Sequence, residues 1–159
     1  MVVAVAVGSV WWGLAPRGEQ IQSRQQSTVQ LNTLPANDPT LSTCISESSV
    51  VMRLHVTLKI IINGSQIRIP AKIGDTQGCL RPVHTTDASG TISVESSVNY
   101  PYTLKDFFAV WNQRFSKNQI FFFQATGKHT INMTVNGQPS SDYENHVLSD
   151  GEQIAITFT

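Results

Sequence analysis

The stretch from Cys79 to Ser96 gathers most of the side chains that can do chemistry: one of the two cysteines, then His84, Asp87, Ser89 and Glu95. A histidine, an aspartate and a serine suggest nucleophilic hydrolysis first. That chemistry needs a base and an orienting acid converging on the hydroxyl, and residues this close in sequence rarely do so. The chain also lacks a G-x-S-x-G elbow, a phosphate-cradling glycine loop and a dinucleotide fingerprint. It is read as a non-enzyme. For Asp87 a plain alternative stands, in which its carboxylate caps the Asp87-Ala88-Ser89-Gly90 turn while His84 hydrogen-bonds nearby.

The other cysteine is Cys44, and no C-x-x-C pair occurs. Two readings stay open: a Cys44–Cys79 disulfide in an oxidising compartment, or two unrelated free thiols. Asn63-Gly64-Ser65 and Asn132-Met133-Thr134 are sequons, so Asn63 and Asn132 become glycan acceptors if the chain is exported. A turn at Asn63-Gly64 explains the first without a glycan. His129 and His146 are expected at the surface.

Several elements must position these residues. The chain has 159 residues, which fits one domain with some tail to spare. Residues 1–16 are apolar with no charge before Arg17. They are shorter than the roughly 20 residues that cross a bilayer, and Trp11 and Trp12 suit its interface. They are read as the remnant of a signal anchor that begins further upstream, against the alternative of a buried strand. Residues 17–49 are rich in Gln, Ser, Thr and Asn, bury too little to offset their ordering entropy, and are read as a polar linker or stalk.

The domain is expected over residues 50–159. Val51–Ile62 reads as a strand entering an Asn63-Gly64 hairpin turn. Gln66–Ile73 reads as its partner, cut short or held at an edge by Pro70. A loop over Gly74–Gly90 precedes a third strand, Thr91–Ser97. Thr103–Phe115 is the one helix, with Thr103 and Asp106 as a capping-box variant and Leu104, Phe107, Phe108, Trp111 and Phe115 on one apolar face. Gln119–Ala125 reads as a buried strand, Thr130–Val135 as a strand entering an Asn136-Gly137 turn, and Gln153–Thr159 as a closing strand after a turn at Ser149–Glu152. A hairpin, a helix lying across a mixed sheet and further strands make an α+β, β-grasp-like arrangement. A small antiparallel β-sandwich is the alternative. The ending Leu148-Ser149-Asp150-Gly151-Glu152-Gln153-Ile154-Ala155-Ile156 is similar to the close of several β-grasp proteins.

With equal numbers of basic and acidic residues, 11 of each, and no basic cluster, the composition argues against nucleic acid as a partner. Charged residues make up only 14%, a composition that suits an envelope or secreted domain.

From Met52 to Thr159 the chain also resembles an uncharacterised family of membrane-anchored, extracytoplasmic archaeal and bacterial proteins. Their pattern is an H-x-H pair, then C-x-x-x-L-H-T-H-D-x-S-G-x-I-H-x-E-S, then T-L-x-x-F-F-x-x-W. The matching residues are Cys79, His84-Thr85, Asp87, Ser89-Gly90, Ile92, Glu95-Ser96, Thr103-Leu104, Phe107-Phe108 and Trp111. The family pattern implies a transition-metal site, because neutral imidazoles with carboxylates suit copper or zinc. Here Thr57, Thr86 and Ser93 stand where the pattern has histidine. The residual ligand set is His55, His84 and Asp87, with Glu95 as a fourth candidate.

The resulting expectation is a membrane-tethered, extracytoplasmic accessory or structural module. Its partners would be the membrane through the N-terminus and other envelope proteins or copies of itself, as in an envelope complex or surface filament. The final strand is the expected pairing edge. The rival expectation is a copper- or zinc-binding protein.

Overall fold

A computed structural model of the protein describes residues 38–159. The expected anchor over residues 1–16, and the stalk as far as residue 37, lie outside the described residues. Among the described residues no helix is long and apolar enough to cross a membrane.

The folded part reaches upstream of the expected start at Val50. A short helix, α1 (Pro39–Ser42), is capped by Asp38, whose side chain accepts the Thr40 N–H, with Pro39 in the first turn. Thr40 is fully buried and Asp38 nearly so. Cys44 is bonded to Cys79, the two Cα atoms 5.0 Å apart and 35 residues apart in sequence. Closing a loop of that length removes about 4 kcal/mol of unfolded-state entropy in the chain-entropy account. Polar composition did not prevent this segment from docking because a cap, a cross-link and a few buried groups hold it.

The spine is β1 (Met52–Ile62). Its alternation buries Val56, Leu58, Ile60 and Ile62 and exposes Arg53, His55, Thr57 and Lys59. Asn63 and Gly64 turn the chain with φ of 49° and 81°, the left-handed pair a two-residue hairpin needs. The turn leads into β2 (Ser65–Ile67), antiparallel to the end of β1. The strand expected to run to Ile73 stops here. Beyond it Pro70, which has no N–H for a ladder, accepts the Thr85 hydroxyl at its carbonyl.

The expected Gly74–Gly90 loop contains β3 (Asp75–Thr76), β4 (Cys79–Leu80) and β5 (Val83–His84). It leads into β6 (Thr91–Ser96), which pairs with the first half of β1. These strands of two residues carry no periodicity to read.

Helix α2 spans Leu104–Val110, with the capping box of Thr103 and Asp106 formed. It is shorter than expected: Trp111 caps it and Asn112 takes a φ of 55°. Phe115 is buried as expected, but from β7 (Phe115–Ser116). With β8 (Gln119–Ile120) and β9 (Phe123–Gln124) it makes a small meander. The run expected as a buried strand is therefore folded back on itself, and Phe122 is 80% exposed.

The chain closes with β10 (Ile131–Val135), an Asn136-Gly137 turn, β11 (Gln138–Ser140) and β12 (Gln153–Phe158). The sheet order is β11-β10-β12-β1-β6-β5, with β2 also on β1. β12 runs parallel to β1 and antiparallel to β10. This is the α+β, β-grasp-like mixed sheet with one main helix. The parallel central pair excludes the antiparallel sandwich. It also corrects the expectation of a free final strand: β12 is bonded along both edges, so it offers no edge to a neighbour. The core is the face carrying Val56, Ile60, Ile92, Val94, Ile154 and Ile156, covered by Leu104, Phe107 and Phe108 of α2.

Candidate functional site

The face of the sheet opposite this core carries the candidate ligands. In the antiparallel ladders His55 lies opposite Ser93, and Ser93 lies opposite His84. Directly opposed residues point to one face, so His55, Ser93 and His84 form a single row across β1, β6 and β5. Thr57 lies two positions further along β1, opposite Thr91. Glu95 lies on the other side of the row and pairs with the Arg53 guanidinium. Thus the two expected histidines share a row, with Ser93 between them where the resembled family has a third. Two strand spacings, about 10 Å, separate their backbones.

The two imidazoles differ in environment. The His55 side chain is 60% exposed, its Nδ1 4.0 Å from the Asp150 carboxylate. His84 is only 5% exposed. The 72–74 segment runs alongside it, joined by Lys72 N–H to Thr85 O and Thr85 N–H to Ile73 O. A Cβ at Gly74 would lie 3.1 Å from that of His84. Burial lowers the His84 pKa below the usual histidine value, while the Arg81 carbonyl and the charge of Glu95 oppose the shift. The ring is therefore neutral at pH 7. Nδ1 lies 3.0 Å from the Arg81 carbonyl, which can only accept, so Nδ1 carries the proton and Nε2 keeps its lone pair.

Asp87 does not join this row. It is exposed in the loop, and its carboxylate accepts the Ser89 N–H at 2.9 Å; hydrogen bonding with Ser89, through its side chain first and then its N–H, holds the Asp87 pKa below the usual carboxylate value. The expected ligand set is thus brought together only as the His55–His84 row. Among the described residues no three His, Cys, Asp or Glu side chains are grouped to hold a metal ion. Ser89 donates its hydroxyl to Thr91. Of the other histidines, His129 is exposed, as expected, and stacks on Phe158. His146 is not a free surface residue. Its side chain is 12% exposed, with Nε2 3.0 Å from Glu152. A carboxylate six positions away across a turn left no spacing signal to reveal that pair.

Both sequon asparagines are exposed, Asn63 in its turn and Asn132 on the outer face of β10. Cys44 and Cys79 are bridged, and no free cysteine occurs among the described residues.

A second polar cluster escaped the sequence reading. Asp38 and Asp106 are both buried where α1 meets α2. Asp38 accepts the Tyr100 hydroxyl at 3.2 Å, and Asp106 accepts the Thr103 N–H and hydroxyl at 2.6 and 2.9 Å. Burial pushes Asp106 up to about 6; the Thr103 N–H opposes this, and the charge of Asp38 and a hydrogen bond shared with it add to it. Only the capping box was legible in advance, because Asp38 lies in a segment with no pattern.

Comparison with family models, with curated proteins and with solved structures finds no match to the chain.

Proposed function

We propose that the chain is a membrane-tethered, extracytoplasmic accessory or structural module, a subunit of an envelope complex or surface filament. The observation that carries this reading is the Cys44–Cys79 bridge. Disulfides persist in oxidising compartments, and this one fastens the polar segment arriving from the N-terminus onto the domain. Load on a tether would meet α1 first and then the cross-link at Cys44, where it passes into the fold and peeling stops. The low content of charged residues fits the same setting. In this reading partners meet the exposed sheet face or an outer strand, since β12 is interior. The test is chemical cross-linking of the full chain in its native membrane, followed by identification of the products. Cross-linked envelope proteins or self-products are expected; a chain that stays monomeric and captures nothing contradicts the proposal.

Copper or zinc binding is the second reading, favoured by the His55–Ser93–His84 row and by the neutral His84 ring with its Nε2 lone pair. A backbone carbonyl that fixes the tautomer is the usual support of a ligating histidine. Elemental analysis after dialysis against copper and zinc, with His84→Ala alongside, decides it. One ion per chain lost in the variant supports the reading, and metal content unchanged by the substitution removes His84 from any site.

A further inference from the structure

We propose that the hairpin tip at Phe121–Phe122 is a membrane-docking contact, in which Phe122 enters the interfacial layer of an anionic bilayer. This inference rests on the tethered reading above. The tip stands out against the chain's own usage. Two other two-residue turns, at Asn63-Gly64 and Asn136-Gly137, use the residues that tolerate left-handed backbone. The turn between β8 and β9 uses two phenylalanines, and Phe121 adopts a φ of 54°, a conformation that bulky residues avoid.

Phe121 has an internal role, since its ring lies 5.4 Å from that of Trp111 and 6.4 Å from that of Phe108. Phe122 has none of that burial and is 80% exposed. It is nonetheless backed by a row of rings: Phe122 to Phe123 at 4.3 Å, then Phe123 to the buried Phe158 at 5.2 Å. The exposed ring is thus presented from the core on a short hairpin.

Charge points to the same occupant. No acidic residue occurs between Asp106 and Asp142, while Arg114, Lys117 and Lys128 fall inside that interval. The Arg114 carbonyl accepts the Phe121 N–H at 2.8 Å, which places this basic residue's backbone at the tip. The neighbouring acid is Glu144, which accepts the Lys117 N–H. An aromatic tip on a basic, acid-free segment suits the interface of an anionic leaflet.

Magnitude decides what the contact can do. Burying one phenylalanine favours the membrane by roughly 10- to 100-fold, too little to hold a free domain there. It suffices for a domain already tethered. Residues 17–37 separate the apolar N-terminal run from Asp38, and a polar chain of about 20 residues spans about 25 Å even as a random coil. The tip then fixes the orientation of a domain that the tether keeps close.

The test uses the full chain in vesicles of phosphatidylcholine with phosphatidylglycerol and compares it with and without Phe122→Trp. Brominated lipids quench tryptophan in the bilayer. Both proteins carry Trp111→Phe, which removes the domain's own tryptophan beside Phe121, so Trp11 and Trp12 report the tether and the added tryptophan reports the tip. The expected result is that brominated lipid removes about half or more of the added emission, as befits a ring at the interface. The urea midpoint should be unchanged, because the substituted side chain is exposed. Added emission that brominated lipid leaves untouched overturns the proposal, while quenching of Trp11 and Trp12 in the same samples leaves the tethered reading standing. If the added emission is shielded from acrylamide but not quenched by lipid, the tip contacts protein and the bilayer is the wrong occupant.

Discussion

The carboxylate of Asp150 accepts the backbone N–H of His55 at 2.8 Å, and so the last turn of the chain is fastened to its first strand. The Gly151 N–H returns a bond to the His55 carbonyl, and the Thr57 N–H donates to the Glu152 carbonyl, each at 2.8 Å. This clamp sets the parallel register that begins at Thr57 and Gln153. The Asp150-Gly151 pair of the closing motif thus has a structural purpose: it seats β12 beside β1.

Asp150→Ala should therefore destabilise the domain by about 1 kcal/mol, the net worth of one hydrogen bond. Urea denaturation measures it. No change in the midpoint would mean that the clamp's backbone bonds alone hold the register.

Gly90 offers a sharper test of the sheet. Its φ is +89°, and a Cβ there would lie 2.6 Å from the Leu58 carbonyl, the residue whose N–H bonds Gly90 O. Gly90→Ala should cost at least about 2 kcal/mol. Gly64→Ala, with a φ of +81° but open space around it, should cost only about 1 kcal/mol. Equal losses in thermal or urea unfolding would contradict the close approach.

The Asp38–Asp106 junction predicts a pH dependence. A carboxyl whose folded pKa is raised holds its proton better in the folded state. Its contribution is fully present below the ordinary value of 3.8 and is lost as pH rises through about 6. Asp87, with its lowered pKa, acts in the opposite direction at acid pH. The clean readout is therefore the difference between the wild type and Asp106→Asn. The wild type should lose stability relative to the variant between pH 4 and about 6. Parallel curves across that range would show that Asp106 titrates normally.

Reduction of Cys44–Cys79 should lower stability by about 4 kcal/mol, with an unchanged core spectrum. Hydrogen exchange should localise the earliest loss to residues 38–46. Equal protection of that segment before and after reduction would mean that α1 docks without the cross-link.

How far the residues announced all this depended on pattern length. β1, α2, β10 and β12 have runs long enough to show a period, and both Asn-Gly turns declare themselves chemically. The helix overran because Phe115 keeps the apolar spacing that runs through Trp111, although Asn112 has already turned the backbone between them. The Phe121-Phe122-Phe123 run concealed a hairpin, since hydrophobicity alone does not distinguish a buried strand from a turn with one ring outside. β12 was misjudged as an edge because chain order does not reveal which strand inserts between which. At the candidate site, only the strand that carries His55 was legible. The His84 row depends on long-range register and on β5, a strand of two residues, and neither has a local signal.

The most direct test of the proposed setting combines topology and thiol state in the native host. Ser141 is exposed, so Ser141→Cys in the full chain adds an accessible thiol. Intact cells are treated with a membrane-impermeant maleimide, with and without prior reduction. The account predicts that the introduced thiol is labelled in intact cells and that Cys44 and Cys79 react only after reduction. Labelling of the introduced thiol only after lysis, with Cys44 and Cys79 reactive without reductant, would place the domain in a reducing interior and contradict it.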